Sequence, residues 1–511
     1  MIMRKISLLA TVFAIWPALA WSQTSDQLNN DGKNPDNVLT QSMGFDRQSY
    51  SPLAQIDKSN IKRLVPVWNS SLMNDLGELA APVVYDGVLY AINAKWTIAI
   101  DVETGHQLWR TPVQVEPGFT RAGSAIYRGA PAIYNGKLYR VTVDNHLVAL
   151  EMKTGRVIWN KKFADWKEGY HSSGAPIVAN GVLISGVAGG ESTTRGFLDG
   201  WDPETGEKLW RRYTIPAPGE PGSETWPANN DAWKYGGGSL WRSGSYDPQL
   251  DLVYWGVGNA EPYDPRPREA RDSLFTDSVL AIRPKTGEIV CYYQYTPNDV
   301  YDVDATDEQV LADLQVDGQM RKVMIQSNKN GFMYVVDRTN CKLIAAHPYT
   351  KVNWASGIDM ASGRPLITGV YKDFLAGAEV EILPSRGSNA VPIAFNPKNG
   401  LVYAAPWDEP RIQQLAPPHP TVIGENSTGV NARQPKIDPG QVVGYYIAID
   451  PLTGQRKWEA PLKDIPSSAG MLATGGGLLF TGKLTGEFLA LDQDTGQTLW
   501  QFQTGSSINS T

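Results

Sequence analysis

Five stretches of this sequence repeat one pattern. "AIDVETGHQLW" ends at Trp109, "ALEMKTGRVIW" at Trp159, "GWDPETGEKLW" at Trp210, "AIDPLTGQRKW" at Trp458 and "ALDQDTGQTLW" at Trp500. Each joins a short apolar strand to a turn carrying Thr-Gly, with a tryptophan four residues after the glycine. Two weaker copies lack the tryptophan: "AIRPKTGEIVC", ending at Cys291, and "AFNPKNGLVY", ending at Tyr403. An eighth, "VVDRTNCKL", has Cys341 in place of the glycine. The turn positions are Gly105, Gly155, Gly206, Gly287, Cys341, Gly400, Gly454 and Gly496. The intervals between them hold four short strands each, the size of a propeller blade. Asp or Asn with Gly suits a tight hairpin turn, and a tryptophan at a fixed offset can stack on the next blade. Eight copies predict an all-β, eight-bladed β-propeller with tryptophan-docking repeats. The longest interval, Gly206 to Gly287, contains "IPAPGEPGSETWPANND", which reads as a loop inserted over one face.

The bulk composition fits. Of 511 residues, 42% are hydrophobic and only 19% charged, which marks a core-rich globular chain. The net charge of −7 gives no electrostatic footprint for nucleic acid. At the N-terminus, Arg4 and Lys5 precede an apolar run over residues 6–18 and the small-residue pattern Ala18-Leu19-Ala20. Residues 1–22 therefore read as a secretory signal peptide, leaving residues 23–511 as an exported propeller with no membrane span. The two cysteines, Cys291 and Cys341, lie in no CxxC or CxxCH pattern. One disulfide is open to them, but no zinc knuckle or covalently attached haem.

"YDVDATDE", residues 301–308, sets Asp302, Asp304, Asp307 and Glu308 within eight positions, with Asp299 just upstream. In an extended segment Asp302 and Asp304 point to the same side. Two carboxylates about 4 Å apart repel by roughly 4 kcal/mol at an effective dielectric near 20. Such a pair is solvated, shares a proton, or holds a cation.

"AWKYGGG", "GVGNAEPY", "YQYTPND" and "NKNGFMYVVDR", in that order and set within the docking repeat, resemble the pyrroloquinoline quinone (PQQ) dependent alcohol dehydrogenases, the methanol- and ethanol-type quinoproteins. The resemblance runs from about residue 35 to the last residue. It implies PQQ on the propeller axis beside one metal ion. Glu191, Asn259 and Asp302 fall at the family's metal-ligand positions, and Asp302 also at its catalytic base. Trp233 matches the tryptophan that stacks under the quinone. Arg128 and Lys329 match cations on its polar groups, and Ser173, Asn389 and, more loosely, Glu78 match other cofactor contacts. Asp304 stands where lanthanide-using members carry an extra aspartate. With Glu191 and Asp302 it supplies three negative charges, which a trivalent ion balances, so the expected ion is a lanthanide or Ca2+. Asp307 and Glu308 are expected in a solvated turn, and Asp299 in a structural role.

The activity so implied is oxidation of a small-molecule alcohol in the periplasm, with a cytochrome c as electron acceptor; a homodimer is left open. The family's adjacent cysteine pair is replaced by Ala122-Gly123, and a capping tryptophan by Ser468. Both changes point to a roomier pocket and keep a sugar, polyol or polymeric-alcohol dehydrogenase in view. A non-catalytic propeller scaffold is the other alternative. Relatives continue past the equivalent of "FQTGSSINST" into strands that complete the ring, so ring closure here is either left to the N-terminal segment or unfinished.

Overall fold

The computed structural model describes residues 23–73, 79–119, 129–389, 391–418, 420, 422–426, 428–463 and 469–509. Within them the chain forms seven successive four-stranded antiparallel meanders. They run from Val83–Tyr85 to Gln107–Pro112, Ala132–Tyr134 to Val157–Lys162, Ile177–Ala179 to Lys208–Tyr213, Ser245–Asp247 to Ile289–Gln294, Val310–Val316 to Lys342–Pro348, Ala394–Asn396 to Arg456–Leu462, and Leu472–Thr474 to Thr498–Gln503. Fourth strands such as Gln107–Pro112 and Val157–Lys162 expose much of their surface, whereas third strands such as His146–Glu151 are buried. The fourth strands are thus the outer edges of propeller blades. Residues 1–22, read as a signal peptide, lie outside the described residues. Among those described, no helix is long and apolar enough to cross a membrane.

The repeat is a joint between consecutive blades. In each third-to-fourth-strand hairpin the glycine amide bonds back four residues, as Gly155 N does to the Glu151 carbonyl at 2.8 Å. The glycine φ lies near +70°, a conformation that favours glycine. The tryptophan of the preceding blade lies against that glycine. A Cβ on Gly155 would come within 2.4 Å of the Trp109 ring, and one on Gly496 within 2.5 Å of Trp458. The indole N–H donates to the carbonyl three residues before the glycine: Trp109 to Met152 (2.9 Å), Trp159 to Pro203 (3.3 Å), Trp210 to Pro284 (2.9 Å) and Trp458 to Gln493 (2.8 Å).

Two joints are built differently. Between the fifth and sixth sheets His347 replaces the tryptophan. A Cβ on Gly454 would come within 2.6 Å of its ring, and its Nε2 donates to the Leu452 carbonyl at 2.8 Å. Between the fourth and fifth, Cys291 takes the tryptophan position and Cys341 the glycine position, and the two form a disulfide with Cα atoms 5.8 Å apart. The carbonyl that would receive an indole, that of Arg338, takes the Tyr254 hydroxyl instead at 2.7 Å. The disulfide is thus a covalent form of the dock. Closing its loop is worth about 4 kcal/mol on the chain-entropy account. Replacing both cysteines by alanine is expected to lower Tm by about 5 °C. Cys291→Trp with Cys341→Gly, which restores the common dock, should recover more than half of that loss. Thermal melts that find the alanine pair unchanged, or the tryptophan–glycine pair no better than it, would refute the equivalence.

The count of eight docking turns needs correction. Gly400 is not a docking turn: it closes the first hairpin of the sixth sheet, between Ala394–Asn396 and Leu401–Ala404, and a Cβ there would meet nothing within 4 Å. The same backward bond, Gly400 N to the Asn396 carbonyl at 2.9 Å, serves a different hairpin. The docking turn of that sheet is Gly454, which leaves seven docking turns for seven described sheets.

The N-terminal segment runs along the inner strands of four sheets. Carbonyls of Phe45, Asp46, Gln48 and Ser49 accept from Tyr246, Leu311, Phe395 and Ala473, on the first strands of the fourth to seventh sheets. Tyr50–Ser51 then pairs in parallel with Leu472–Thr474. One short segment touches four first strands in succession because those strands line the axis. Further on, Trp68 docks on Gly105 of the first sheet and donates to the Val102 carbonyl at 2.8 Å, as if it ended the outer strand of a preceding blade.

Candidate functional site

In a four-stranded meander, the second-to-third hairpin and the link to the next sheet share one end; the docking turns occupy the other. The expected site residues among those described fall at the former end. Glu191, Asn259 and Lys329 sit in second-to-third connections of the third, fourth and fifth sheets. Ser173, Trp233, Asp302, Asp304 and Asn389 sit in links between sheets. Arg128 and Glu78, and the departures at Ala122-Gly123 and Ser468, lie outside the described residues.

Lys329, almost fully buried, bridges the two aspartates: its Nζ is 3.1 Å from Asp302 Oδ1 and 3.2 Å from Asp304 Oδ2. Asp304 Oδ1 accepts the Trp241 indole N–H and the Asn259 amide, each at 3.2 Å. Asp302 Oδ2 faces Arg411 Nη1 at 3.1 Å. Burial alone would raise the Asp302 carboxyl, but Lys329 and Arg411 outweigh it and hold the group below the usual carboxylate range. Glu191 shows the opposite balance: burial, with the Asp302 and Asp304 charges, pushes it up to about 7. Asn259 is fully buried and its Oδ1 has no hydrogen-bond partner. That oxygen lies next to Glu191's turn, since a Cβ on Gly190 would come within 3.3 Å of it. A Cβ on Gly258 would come within 2.7 Å of Asp304 Oδ1, so the wall there is glycine.

The segment is not uniformly extended. Asp302 has φ +59°, a conformation that disfavours a non-glycine residue by about 1–2 kcal/mol. The Asp299 carboxylate stabilises the bend by accepting from Tyr301 N (2.8 Å) and Val303 N (3.0 Å), which fits the structural role expected of it. Asp307 and Glu308 are not solvated; both are 6% exposed. Glu308 accepts from Gln41 and, at 2.9 Å, from Ser42 of the N-terminal segment, with Arg242 Nη2 at 3.7 Å. Asp302, Asp304 and Glu308 are therefore held by partners from distant parts of the chain.

Trp233 lies elsewhere in its link. Its ring packs with Ile215, Trp226 and Ala232, under the Arg195 guanidinium at 4.9 Å. The tryptophan whose N–H reaches the acid cluster is Trp241, and Ser173 Oγ donates to its carbonyl at 3.3 Å. Asn389 has a buried Oδ1 without a partner. Sequence reasoning missed Trp241, which sits in "GGGSLW" eight residues after Trp233, and Arg411, which lies in no quoted motif.

Among the described residues, no three His, Cys, Asp or Glu side chains form a ready metal cage. The donor set still fits a hard cation: carboxylates of Glu191, Asp302 and Asp304, and the uncommitted amide oxygen of Asn259. A buried amide oxygen left unpaired carries a desolvation penalty that such an ion removes. Trp241 beside this set offers a flat aromatic surface, and Asn389 a further acceptor.

A family model described as "Glucose/ethanol/alcohol dehydrogenase, beta-propeller domain" matches residues 42–353, and one described as "Outer membrane protein assembly factor BamB" matches residues 444–511. The quinohemoprotein alcohol dehydrogenase ADH IIB of Pseudomonas putida is 37% identical over 494 residues, covering 92% of this chain and 70% of that protein. The quinoprotein alcohol dehydrogenase PedH of Pseudomonas putida is 34% identical over 538 residues, covering 98% of this chain and 88% of that protein. Among solved structures, a europium-containing methanol dehydrogenase superposes with a TM-score of 0.90 at 31% identity, covering 95% of this chain and 88% of that one. Propeller, motif order and relatives agree: the chain belongs to the PQQ-dependent alcohol dehydrogenase family.

Proposed function

We propose that this protein is a periplasmic quinoprotein that oxidises an alcohol to the aldehyde or ketone and hands its electrons to a cytochrome c. The reading rests on one observation: at one end of the axis, Asp302 is held ionised within a set of oxygen donors that includes an uncommitted, buried Asn259 Oδ1. Glu191, Asn259, Asp302 and Asp304 would hold the metal, a lanthanide or Ca2+; a solved methanol dehydrogenase similar to this chain contains europium. Trp241 would seat the quinone, and Ser173, Lys329, Asn389, Arg128 and Glu78 would bind its polar groups. When bound, metal-polarised PQQ supplies the hydride acceptor. Asp302 takes the substrate hydroxyl proton as general base. Lys329 and Arg411 keep that carboxylate ionised and fixed, which matters because small misplacements of a base are costly. For the fold, the docked Trp68 supports an outer strand of an eighth blade.

Dye-linked oxidation by the apoprotein with PQQ, with calcium and lanthanum in parallel, tests this. Alcohol oxidation that requires both PQQ and one of the ions is the expected result. Turnover of sugars or polyols in preference to simple alcohols would move the substrate class, and no turnover with either ion would refute the reading.

A further inference from the structure

Asp302 is gripped by a part of the chain that belongs to no blade. The connection between the second and third strands of the sixth sheet is expanded into part of a small three-stranded sheet, Val380–Ile382, Arg411–Leu415 and Val430–Arg433, with Arg411–Leu415 in the middle. Side chains two apart on a strand share a face, and Arg411 and Gln413 use theirs on the catalytic loop. Gln413, fully buried, donates Nε2 to the Val300 carbonyl at 2.6 Å. Arg411 donates Nη2 to the Tyr301 carbonyl at 2.7 Å and sets Nη1 3.1 Å from Asp302 Oδ2. Arg411 and Gln413 are also joined, through Arg411 Nε and Nη2 to Gln413 Oε1 at 3.1 and 2.7 Å. Residues 300, 301 and 302 are therefore each held by this pair, while Asp299 takes the Tyr301 and Val303 amides.

We propose that Arg411 and Gln413 form a clamp, a pair of positioning residues that sets the left-handed turn at Asp302 and the aim of its carboxylate. The inference rests on the role given to Asp302 above. With Oδ2 committed to Arg411, Oδ1 is the oxygen presented toward Lys329 and the interior of the site. The planar guanidinium suits this task because it bonds a backbone carbonyl and a carboxylate at once from a fixed fork. A lysine there would keep the charge and lose the second bond.

The test uses Arg411→Met, Arg411→Lys and Gln413→Met in the full chain. Hydrogen–deuterium exchange is followed in protein without cofactor or metal, and kinetics after reconstitution with PQQ and metal. In Arg411→Met, exchange over residues 299–304 should rise at least tenfold while peptides of the first and seventh sheets keep their protection. After loading, kcat should fall tenfold or more with KM for the alcohol within about twofold, and Arg411→Lys should lie between. Gln413→Met should raise the same local exchange. Unchanged exchange over 299–304 would overturn the clamp. So would a higher KM at constant kcat, which would make Arg411 a substrate-binding cation, or loss of protection spread over all blades. If wild-type protein fails to oxidise alcohols, the functional reading falls while the exchange arm still decides the clamp.

Discussion

Asp302→Asn is expected to lower kcat for alcohol oxidation by about 10²–10⁴-fold, the range for loss of a positioned general base. Asparagine keeps the shape, and its Oδ1 can still accept from Lys329. It cannot take the substrate proton, and it removes the anion that Arg411 faces at 3.1 Å. Lys329 keeps Asp304 as a partner at 3.2 Å, so the substitution does not strand a buried ammonium. Tm should therefore stay within a few degrees while turnover collapses. Steady-state kinetics on the reconstituted variant, beside a thermal melt, make the comparison. If kcat stays within threefold of wild type, proton removal belongs to another group.

The docking repeat was readable because a joint between blades needs a tryptophan on one sheet and a glycine on the next, and both letters recur at fixed offsets. The cysteine variant was visible as Cys291 and Cys341 in those same places, but pairing depends on the two edges meeting, which follows only from the assembled ring. Gly400 misled because the backward-bonded turn is local, and a local turn says nothing of which hairpin it closes. At the site, Glu191, Asn259 and Lys329 fell together because the hairpins carrying them share one end of the meander. Trp233 and Trp241 occupy a single link between sheets, and only the chain path tells which one meets Asp304. Arg411 was illegible because it reaches Asp302 across 109 residues from an insertion with no repeat. The solvated position expected of Glu308 failed for a similar reason: Gln41 and Ser42 arrive from the other end of the sequence.

Protein stripped of metal should lose thermal stability as pH rises from about 5 to 7.5. Burial and the neighbouring Asp302 and Asp304 charges raise Glu191 from 4.5 to about 7. A carboxyl raised in the folded state binds its proton more tightly there than in the unfolded chain. Its stabilising contribution is complete below the unfolded value and lost as pH climbs through the folded one. For Glu191 the loss is on the order of 2–3 kcal/mol. Asp299, raised to about 6 mainly by burial, adds in the same direction. Glu191→Gln should flatten most of the slope, since glutamine has no proton to lose. A multivalent cation should remove it too, because binding takes the place of that proton and tightens with pH. Melts of apoprotein from pH 5 to 7.5, with and without calcium or lanthanum, measure this. A slope untouched by both Glu191→Gln and metal would show that Glu191 is no ligand. The same balance revises the charge count for the ion. Lys329 and Arg411 already set two positive charges against Glu191, Asp302 and Asp304, and a protonated Glu191 nearly neutralises the cluster. Three carboxylates thus do not by themselves demand a trivalent ion. Selection between a lanthanide and calcium then rests on how many oxygens can close around it, and Asn259 Oδ1 is the donor that no internal cation competes for.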